Sequence, residues 1–324
     1  MNWRARVVRE GVDGNSGQGS GANPRRSKHH MAFRKSVRWT VASIMYYSGA
    51  VSLCRVFERK PRARILVYHS IGDDPQNPFS VSPEDFEEQV RFLSQAYHVM
   101  ALEELIACIT DGERQVPPDA VVITLDDGFE DNYTNAYPIL RRYKVPATIF
   151  VIAERLRSGG AEQAEAGDAY PGRYLSWDQA LEMCDHGISI GSHTLTHPWL
   201  TEMTRGAARR EIVESKVVLE QGLGRPVSLF AYPGGRICDF DRDIRTMVAE
   251  SGYSGACVGL NGTNGDDTDP YLLRRTKIEV DDGMYVFKKA MKGALDVFIL
   301  LDKARQFRLP AANHRGKHRG IAVA

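Results

Sequence analysis

Short apolar segments that end in polar residues alternate with helical patterns along most of the chain. The apolar segments include ILVY at 65–68, VVITL at 121–125, ATIFV at 147–151, ISIGS at 188–192 and SLFA at 228–231. This alternation predicts an α/β domain with about seven parallel strands. No GxGxxG follows the first strand, and the sequence contains no P-loop. A (β/α) barrel is therefore favoured over a dinucleotide-binding sheet.

The two ends of the chain differ from this regular part. Residues 1–30 are rich in Gly, Ser, Asn and Arg and have no hydrophobic period, which predicts a disordered segment. We assign the regular part to one domain, residues 62–308, and expect residues 309–324 to form a loose basic tail. The basic residues gather at the ends while the net charge is only +1, so the overall charge indicates no nucleic acid partner.

Residues 31–61 begin with the basic sequence MAFRKSVRW and continue with the apolar run TVASIMYYSGAVSLC. The run is shorter than the roughly 18–20 residues that a membrane-spanning helix needs. It resembles part of a signal sequence but is followed by no convincing cleavage site. Two interpretations stay open: peripheral membrane association through residues 31–60, or a helix packed on the domain. Localisation stays open as well, between the cytoplasm and a membrane-associated or exported state in a bacterium.

Polar residues whose side chains can bind metal ions or transfer protons follow the predicted strands. His69 follows ILVY, Asp126 and Asp127 follow VVITL, His193 follows ISIGS, and the turn 232–235 follows SLFA. In a barrel of parallel strands the carboxyl ends share one face, and catalytic groups collect there. These separate clusters are therefore expected to form a single site.

A metal ion explains two of these clusters. His193 and His197 are four residues apart, so both imidazoles can face one cation from a helical turn or from a loop. The pair Asp126-Asp127 ends a buried strand, where an uncompensated negative charge is costly. A cation held by Asp127, His193 and His197 removes that cost. Two nitrogen ligands and one oxygen ligand suit Zn²⁺ or a similar divalent ion.

The remaining groups supply the other parts of a hydrolytic site. If Asp127 holds the metal ion, Asp126 is free to accept a proton from an attacking water. The turn Tyr232-Pro233-Gly234-Gly235 is an ordinary turn by sequence alone, but its glycines allow close backbone approach. We therefore expect Tyr232, Pro233 and Gly234 to contact substrate, and a backbone N–H there to stabilise an oxyanion.

Three segments resemble the first three motifs of a known enzyme family. ITLDDGFEDNY, SHTLTHPWL and FAYPGGR, in this order, are similar to motifs of the polysaccharide deacetylases, the NodB-homology enzymes of carbohydrate esterase family four. The resemblance covers about residues 62–300. It implies a distorted (β/α) barrel of the glycoside hydrolase/deacetylase type, an N-acetylated glycan as substrate, and one divalent metal ion, with Zn²⁺ first and Co²⁺ or Ni²⁺ as alternatives. By position, it also implies Asp126 as base and Asp127, His193 and His197 as ligands.

The chain departs from the family pattern in ways that bear on catalysis. Ala231 stands where the third motif commonly has Arg, and Gly234 stands where it has an aromatic residue. No histidine follows His197 before the basic tail, so the late leaving-group histidine is missing. His69 in LVYHSI resembles the acid histidine of the exopolysaccharide-linked branch, although it could also be a core histidine. Arg275, or with less support Arg274, is a candidate for orienting Asp126.

Two other functions remain as alternatives at this stage. The missing motif Arg and late histidine are also consistent with a sugar-binding protein that keeps the fold and has little or no catalytic activity. A deformylase or deacetylase of a lipid-linked sugar would use the same chemistry on another amide. The leading hypothesis is hydrolysis of N-acetyl groups on an N-acetylglucosamine-type polysaccharide or oligosaccharide.

Overall fold

The computed structural model describes residues 37, 39–49, 60–74, 77, 79–157, 173–279 and 282–299. The predictions for residues 1–30 and 309–324 lie outside these residues. The predicted domain boundaries at 62 and 308 are not tested by the structure.

The central sheet is a nearly closed barrel of parallel strands. The strands are β1 Arg64–Tyr68, β2 Ser70–Ile71, β3 Ser80–Val81, β4 His98–Val99, β5 Ala120–Leu125, β6 Ala147–Val151, β7 Ile188–Ser192, β8 Leu229–Ala231, β9 Gly255–Cys257 and β10 Arg275–Lys277. The order in the central sheet is β10-β1-β5-β6-β7-β8-β9, β4 pairs with β5 off this path, and β2 and β3 pair separately. Hydrogen bonds from Val258 N to Leu273 O and from Leu273 N to Ala256 O connect the two edges of the central sheet. The predicted distorted (β/α) barrel is confirmed.

The barrel interior is filled by side chains from strands around the whole sheet. Ile65, Val122, Phe150, Leu229 and Cys257 belong to one buried cluster although they come from five different strands. Strands so far apart in the sheet can share a cluster only inside the barrel. The other face of the sheet packs under the helices in a second, larger cluster. Burial on both faces explains why the strand sequences are continuous apolar runs.

Helices connect the strands, and several begin at the residues expected from sequence. They are α1 Pro83–Ala96, α2 Leu102–Thr110, α3 Tyr137–Tyr143, α4 Ala153–Arg157, α5 Trp177–Asp185, α6 Arg205–Leu223, α7 Arg242–Glu250 and α8 Met284–Met291. Ser82 caps α1, with Pro83 in its first turn. Ser176 and Gln179 form a capping box at the start of α5.

Two helices differ from the sequence prediction. The sequence DNYTNAYPILRRY predicts a helix, but its first part, Asn132–Ala136, is a π-helical turn that leads into α3. The sequence from Met284 to Phe307 predicts one closing helix, but α8 ends at Met291, and residues 300–307 lie outside the described residues. Gly293 follows with a φ of 95°, a conformation that a continuing helix does not allow.

A helical segment at residues 39–47 packs on α8. Ala42 is buried against Val286 and Ala290, and the Trp39 ring stacks on the Tyr285 ring at 5.4 Å. Residues 39–47 therefore form a helix that contacts the domain through α8. Among the described residues, no helix is long and apolar enough to cross a bilayer.

Candidate active site

The two adjacent carboxylates at the end of β5 lie in different surroundings. Asp126 continues the strand, and its N–H donates to Tyr68 O at 2.9 Å. Asp127 has a φ of 72°, so the chain turns sharply between the two residues. This turn directs the neighbouring side chains to separate partners.

Asp126 forms a buried two-point ion pair with Arg275 of β10. The guanidinium donates from Nη1 to Oδ1 at 2.6 Å and from Nη2 to Oδ2 at 2.8 Å. Burial favours the neutral carboxyl, but the charge of Arg275 outweighs it and holds the pKa of Asp126 well below its usual range. Asp126 is therefore an ionised carboxylate at neutral pH. Of the two candidate arginines, Arg275 reaches Asp126, whereas the Arg274 guanidinium donates to Asn261 O at 3.2 Å.

His193 follows β7 and is buried beside both aspartates. Its Nδ1 lies 2.8 Å from Ala231 O, which can only accept, so this nitrogen carries the proton. Nε2 then has a free lone pair, and it lies 3.6 Å from Asp127 Oδ1. Burial lowers the pKa of His193 to about 3, which keeps the ring neutral and able to act as a ligand.

His197 reaches the same carboxylate from a tight turn. Its Nε2 lies 3.6 Å from Asp127 Oδ1, and its N–H donates to Thr194 Oγ1 at 3.0 Å. Thr194 and His197 have φ values of 69° and 65°. The turn is held by Glu211 of α6, whose carboxylate accepts from Leu195 N and Thr196 N at 3.0 and 2.9 Å. Strained backbone of this kind persists where surrounding contacts hold it, often at functional sites.

The arrangement of Asp127, His193 and His197 fits a divalent cation. One ligand atom from each of the three residues lies within 4.8 Å of the others. Ligands bound to a tetrahedral Zn²⁺ at about 2.0–2.2 Å lie roughly 3.4 Å apart, close to both observed His–Asp distances. Burial, together with the neighbouring charge of Asp126, raises the pKa of Asp127 to about 6, so this carboxyl lacks the compensation that Asp126 has. A bound cation would supply it.

His69 lies at the carboxyl end of β1, and its ring stacks on Phe79 with centroids 5.0 Å apart. Its Nδ1 is buried and accepts or donates no hydrogen bond among the described residues. Burial lowers the pKa of His69 to about 3, while the charge of Asp126 acts in the opposite direction. The ring is therefore neutral in the free site at neutral pH.

The turn after β8 requires one correction to the sequence prediction. The Tyr232 side chain is fully buried, its hydroxyl donates to Tyr271 O at 3.2 Å, and its N–H donates to Cys257 O at 3.1 Å. Tyr232 therefore has neither a side chain nor an N–H available for substrate. The N–H of Gly235 donates to Pro233 O, whereas no described residue accepts from the N–H of Gly234. Pro233 and Gly234 remain the candidates for substrate contact.

Two further residues support the site, Glu211 and Trp199, and the sequence motifs did not predict the contacts of Glu211. Glu211 lies on the same face of α6 as the buried residues Ala208, Ile212 and Ser215. An acidic residue on an apolar helix face was the signal that could have identified it. Trp199 contacts Gly234 and lies under the Arg236 guanidinium, 4.8 Å from its ring centroid.

Comparisons with known proteins agree with this geometry. Residues 113–256 match the family model described as Polysaccharide deacetylase. Over 222 residues the chain is 29% identical to YxkH of Bacillus subtilis, a protein assigned as a polysaccharide deacetylase, and the match covers 68% of this chain and 73% of that protein. A match of 110 residues at 41% identity to the Staphylococcus aureus poly-β-1,6-N-acetyl-D-glucosamine N-deacetylase covers 33% of this chain and 37% of that enzyme.

A solved structure shows the same relationship in three dimensions. The Streptococcus pyogenes deacetylase PplD, in complex with acetate, superimposes with a TM-score of 0.63 at 26% identity, over 72% of this chain and 99% of that one. The barrel, its strand-end carboxylates and imidazoles, and these matches define a carbohydrate-active hydrolase. Residues 113–256 carry the polysaccharide deacetylase domain, and members of that family act on N-acetylated polysaccharides and generally depend on a metal ion. The family predicted from the sequence motifs is confirmed.

Proposed function

We propose that this chain removes N-acetyl groups from an N-acetylglucosamine-type polysaccharide or oligosaccharide, with Asp126 as the general base. The observation that carries the proposal is that two adjacent carboxylates have different charged and polar partners. Asp126 is kept ionised by Arg275, and Asp127 faces two imidazole nitrogens. Neighbouring acids with different environments take different roles in catalysis.

Asp127, His193 and His197 would hold one divalent ion, for which Zn²⁺ is the first candidate and Co²⁺ and Ni²⁺ are alternatives. When bound, such an ion supplies Lewis-acid chemistry, since it polarises a carbonyl oxygen and lowers the pKa of water. The other steps belong to side chains and backbone of the chain itself.

Asp126 accepts a proton from the water that attacks the acetamide carbonyl carbon. Arg275 keeps the carboxylate ionised and fixes its direction. The Gly234 N–H donates to the oxyanion that forms at the carbonyl oxygen. The C–N bond then breaks, acetate leaves with the oxygen of the attacking water, and the amine nitrogen takes a proton.

His69 donates that proton to the departing amine. The ring is neutral in the free site, because burial lowers the pKa of His69. The negative charge that develops on the reacting amide favours the imidazolium form, so His69 takes up a proton from solvent during the reaction and passes it to the amine nitrogen, and Asp126 afterwards returns its own proton to solvent. Besides His69, the only described histidines beyond the carboxyl ends of the strands are the two proposed ligands, which leaves His69 as the acid.

The alternative of an inactive sugar-binding protein loses its main support. It rested on the missing motif Arg at Ala231 and on the missing late histidine. Arg275 places a guanidinium on Asp126 from another strand, and His69 is the acid proposed in place of the late histidine. No observation on the described residues favours a formyl group over an acetyl group.

The proposal is tested by acetate release from β-1,4- and β-1,6-linked N-acetylglucosamine oligomers and polymers, with N-formyl analogues in the same panel. Acetate release by the protein after treatment with a metal chelator is compared with release by the same protein after Zn²⁺, Co²⁺ or Ni²⁺ has been added back. We expect Asp126→Asn to bind metal normally and to lose about 10²–10⁴-fold in kcat. Full activity in the chelated chain or in Asp127→Ala would contradict the proposal.

We also propose peripheral membrane association through the helix at 39–47, within the predicted segment 31–60. Seven large hydrophobic side chains are exposed among the described residues. Four of them lie on this helix, and two more, Val37 and Tyr285, lie just before it and on α8, which it contacts; only Val217 lies elsewhere. Trp39 is 50% and Tyr47 is 70% exposed. Trp and Tyr favour the interface of a bilayer, and the preceding cations Arg34, Lys35 and Arg38 favour anionic lipid.

Co-sedimentation with vesicles of phosphatidylglycerol and phosphatidylcholine tests this surface. We expect binding that weakens with salt and is lost in Trp39→Ala/Tyr47→Ala, with Val217→Ala as the matched control. Equal binding by all three proteins, or none by the unmodified chain, would contradict the proposal.

A further inference from the structure

The π-helical turn Asn132–Ala136 lies directly after the carboxylate motif and contacts the segment that carries His69. Such turns are rare in proteins and often occur at functional sites. Here the turn faces residues 69–71, which connect β1 to β3 through the short strand β2. This contact does not depend on the proposed metal ligands.

Side chains of the turn and of the residue before it bind every residue of this segment. Asn132 Nδ2 donates to His69 O at 2.8 Å, and Asn135 Nδ2 donates to Ile71 O at 2.7 Å. Between them, Ser70 Oγ donates to Asp131 Oδ2 at 2.5 Å. The widened turn thus presents two amide donors to two carbonyls of the same short segment.

The His69 ring has no comparable support of its own. A catalytic histidine is commonly oriented by a hydrogen bond to one ring nitrogen. His69 Nδ1 is buried without such a partner among the described residues, and the ring is held by stacking on Phe79. The direction of the ring therefore depends on where the backbone of residue 69 is held.

The same contacts join the two halves of the proposed chemistry. Asp126 N donates to Tyr68 O at 2.9 Å, immediately before His69. Asn132 is fully buried, and its amide donates to His69 O from the loop that carries Asp126 and Asp127. The base and the acid are therefore attached to one hydrogen-bonded unit.

We infer that Asn132 and Asn135 are positioning residues for His69: their amides hold the backbone of residues 69 and 71 so that the imidazole faces the reacting amide. This inference rests on the proposed role of His69 as acid. Neither asparagine is placed in contact with substrate, so each acts on turnover through His69. A shift of about 1 Å in a catalytic group is enough to cost up to ~10²-fold in rate.

A double-mutant cycle on the metal-restored full chain tests the inference. We expect Asn132→Ala and Asn135→Ala each to lower kcat by about tenfold or more, with KM and bound metal unchanged. In a His69→Ala background the same substitutions should change kcat by less than about twofold, because the group they position is gone. Thr134→Ala, an exposed residue of the same turn, is the matched control.

The possible results distinguish failure of the positioning role from failure of the acid role of His69. Equal losses in both backgrounds would show that the asparagines act on folding or on the metal site, and would overturn the positioning role alone. Full activity in His69→Ala would overturn the acid role and the positioning role together. If Asn132→Ala fails to fold, Asn135→Ala carries the same test, since it leaves the buried Asn132 amide in place.

Discussion

The guanidinium of Arg275 and the carboxylate of Asp126 meet in a two-point ion pair, at 2.6 and 2.8 Å, although the residues are 149 positions apart in the chain. The ion pair gives Asp126 a counter-charge. The adjacent Asp127 has none and lies beside His193 and His197 instead. The positive charge beside Asp126 thus comes from β10, since position 231 of this chain is an alanine.

Weakening this ion pair should shift the pH dependence of catalysis. The base acts only when ionised. Lysine keeps the positive charge of Arg275 but cannot form its two-point hydrogen bonding, so burial then raises the pKa of Asp126. In Arg275→Lys the acidic limb of kcat/KM should therefore move to higher pH, far enough to enter the range above pH 4.5, and activity should recover as pH rises. A pH profile of acetate release from pH 4.5 to 9 measures this.

Arg274→Lys is the matched control for that profile. Arg274 neighbours Arg275, but its guanidinium donates to Asn261 O rather than to Asp126. We expect its profile to match that of the unmodified chain. An unshifted acidic limb in Arg275→Lys would mean that this arginine does not set the ionisation of the base.

Removing the charge of Asp127 should stabilise the metal-free chain. Burial raises the pKa of Asp127 from 3.8 to about 6, so the folded state holds this proton more tightly than the unfolded state. Stability is therefore lost as pH rises through about 4 to 6, and the full penalty applies above that range. At pH 7.5, metal-free Asp127→Asn should exceed the metal-free parent by on the order of 1–3 kcal/mol in free energy of unfolding.

Metal addition should reverse this order. Zn²⁺ binding stabilises the parent chain by mass action, whereas Asp127→Asn lacks a ligand and should gain little. Asp126→Asn serves as the comparison, because it leaves Arg275 buried without its partner and should lower stability with or without metal. Thermal unfolding of the three proteins, at pH 4 and 7.5, separates these effects. A metal-free Asp127→Asn that is less stable than the parent at pH 7.5 would contradict the prediction.

The sequence identified the parts of the site that lie at strand ends. Asp126, Asp127 and His193 each follow an apolar run, and parallel strands place such residues on one face of a barrel. Periodicity alone did not decide whether His193 and His197 lie on a helix or a loop. The structure has a loop with two left-handed residues, a conformation that depends on the Glu211 clamp rather than on local propensity.

Supporting contacts were harder to predict because they join segments without a local pattern. The strands β2 and β3 have two residues each, too few for a period to appear. The sequence of the π-helical turn has the apolar spacing of an ordinary α-helix, so the sequence does not reveal the turn. Its contacts with residues 69–71 are tertiary and leave no local pattern either. Tyr232 is predicted to contact substrate because it belongs to a motif that contacts substrate. Alternate residues of a strand face opposite sides of the sheet, however, so membership of the motif does not place every side chain in the site.

Removing the Glu211 carboxylate should weaken metal binding more than it weakens the fold. The carboxylate holds the turn that aims His197, and loss of such supporting contacts commonly costs 10–100-fold in metal affinity. We expect a loss in this range for Glu211→Ala, measured by competition with a Zn²⁺ chelator. Glu214→Ala, an exposed acid on the same helix, is the control. Equal affinities in the two variants would exclude a role for the clamp.

The last prediction concerns Gly234, which stands where the family motif has an aromatic residue. Gly234 has a φ of 66°, and a Cβ there would lie 2.2 Å from the Trp199 ring and 2.7 Å from Asp239 Oδ2. The Trp199 ring thus borders the space that a side chain at position 234 would need. Gly234→Ala should lower stability by roughly 1–3 kcal/mol, from overpacking and from the left-handed backbone.

Trp199→Ala should relieve part of this cost, so the double variant should be more stable than the sum of the single effects predicts. The remaining cost reports the backbone strain and the contact with Asp239, which the second substitution does not remove. Gly206→Ala is the matched control, because no atom lies within 4 Å of a Cβ there and its φ is not left-handed. Strictly additive losses for the Trp199 and Gly234 variants would mean that the ring moves away freely, and that its contact with Gly234 does not explain why this chain has glycine at that position.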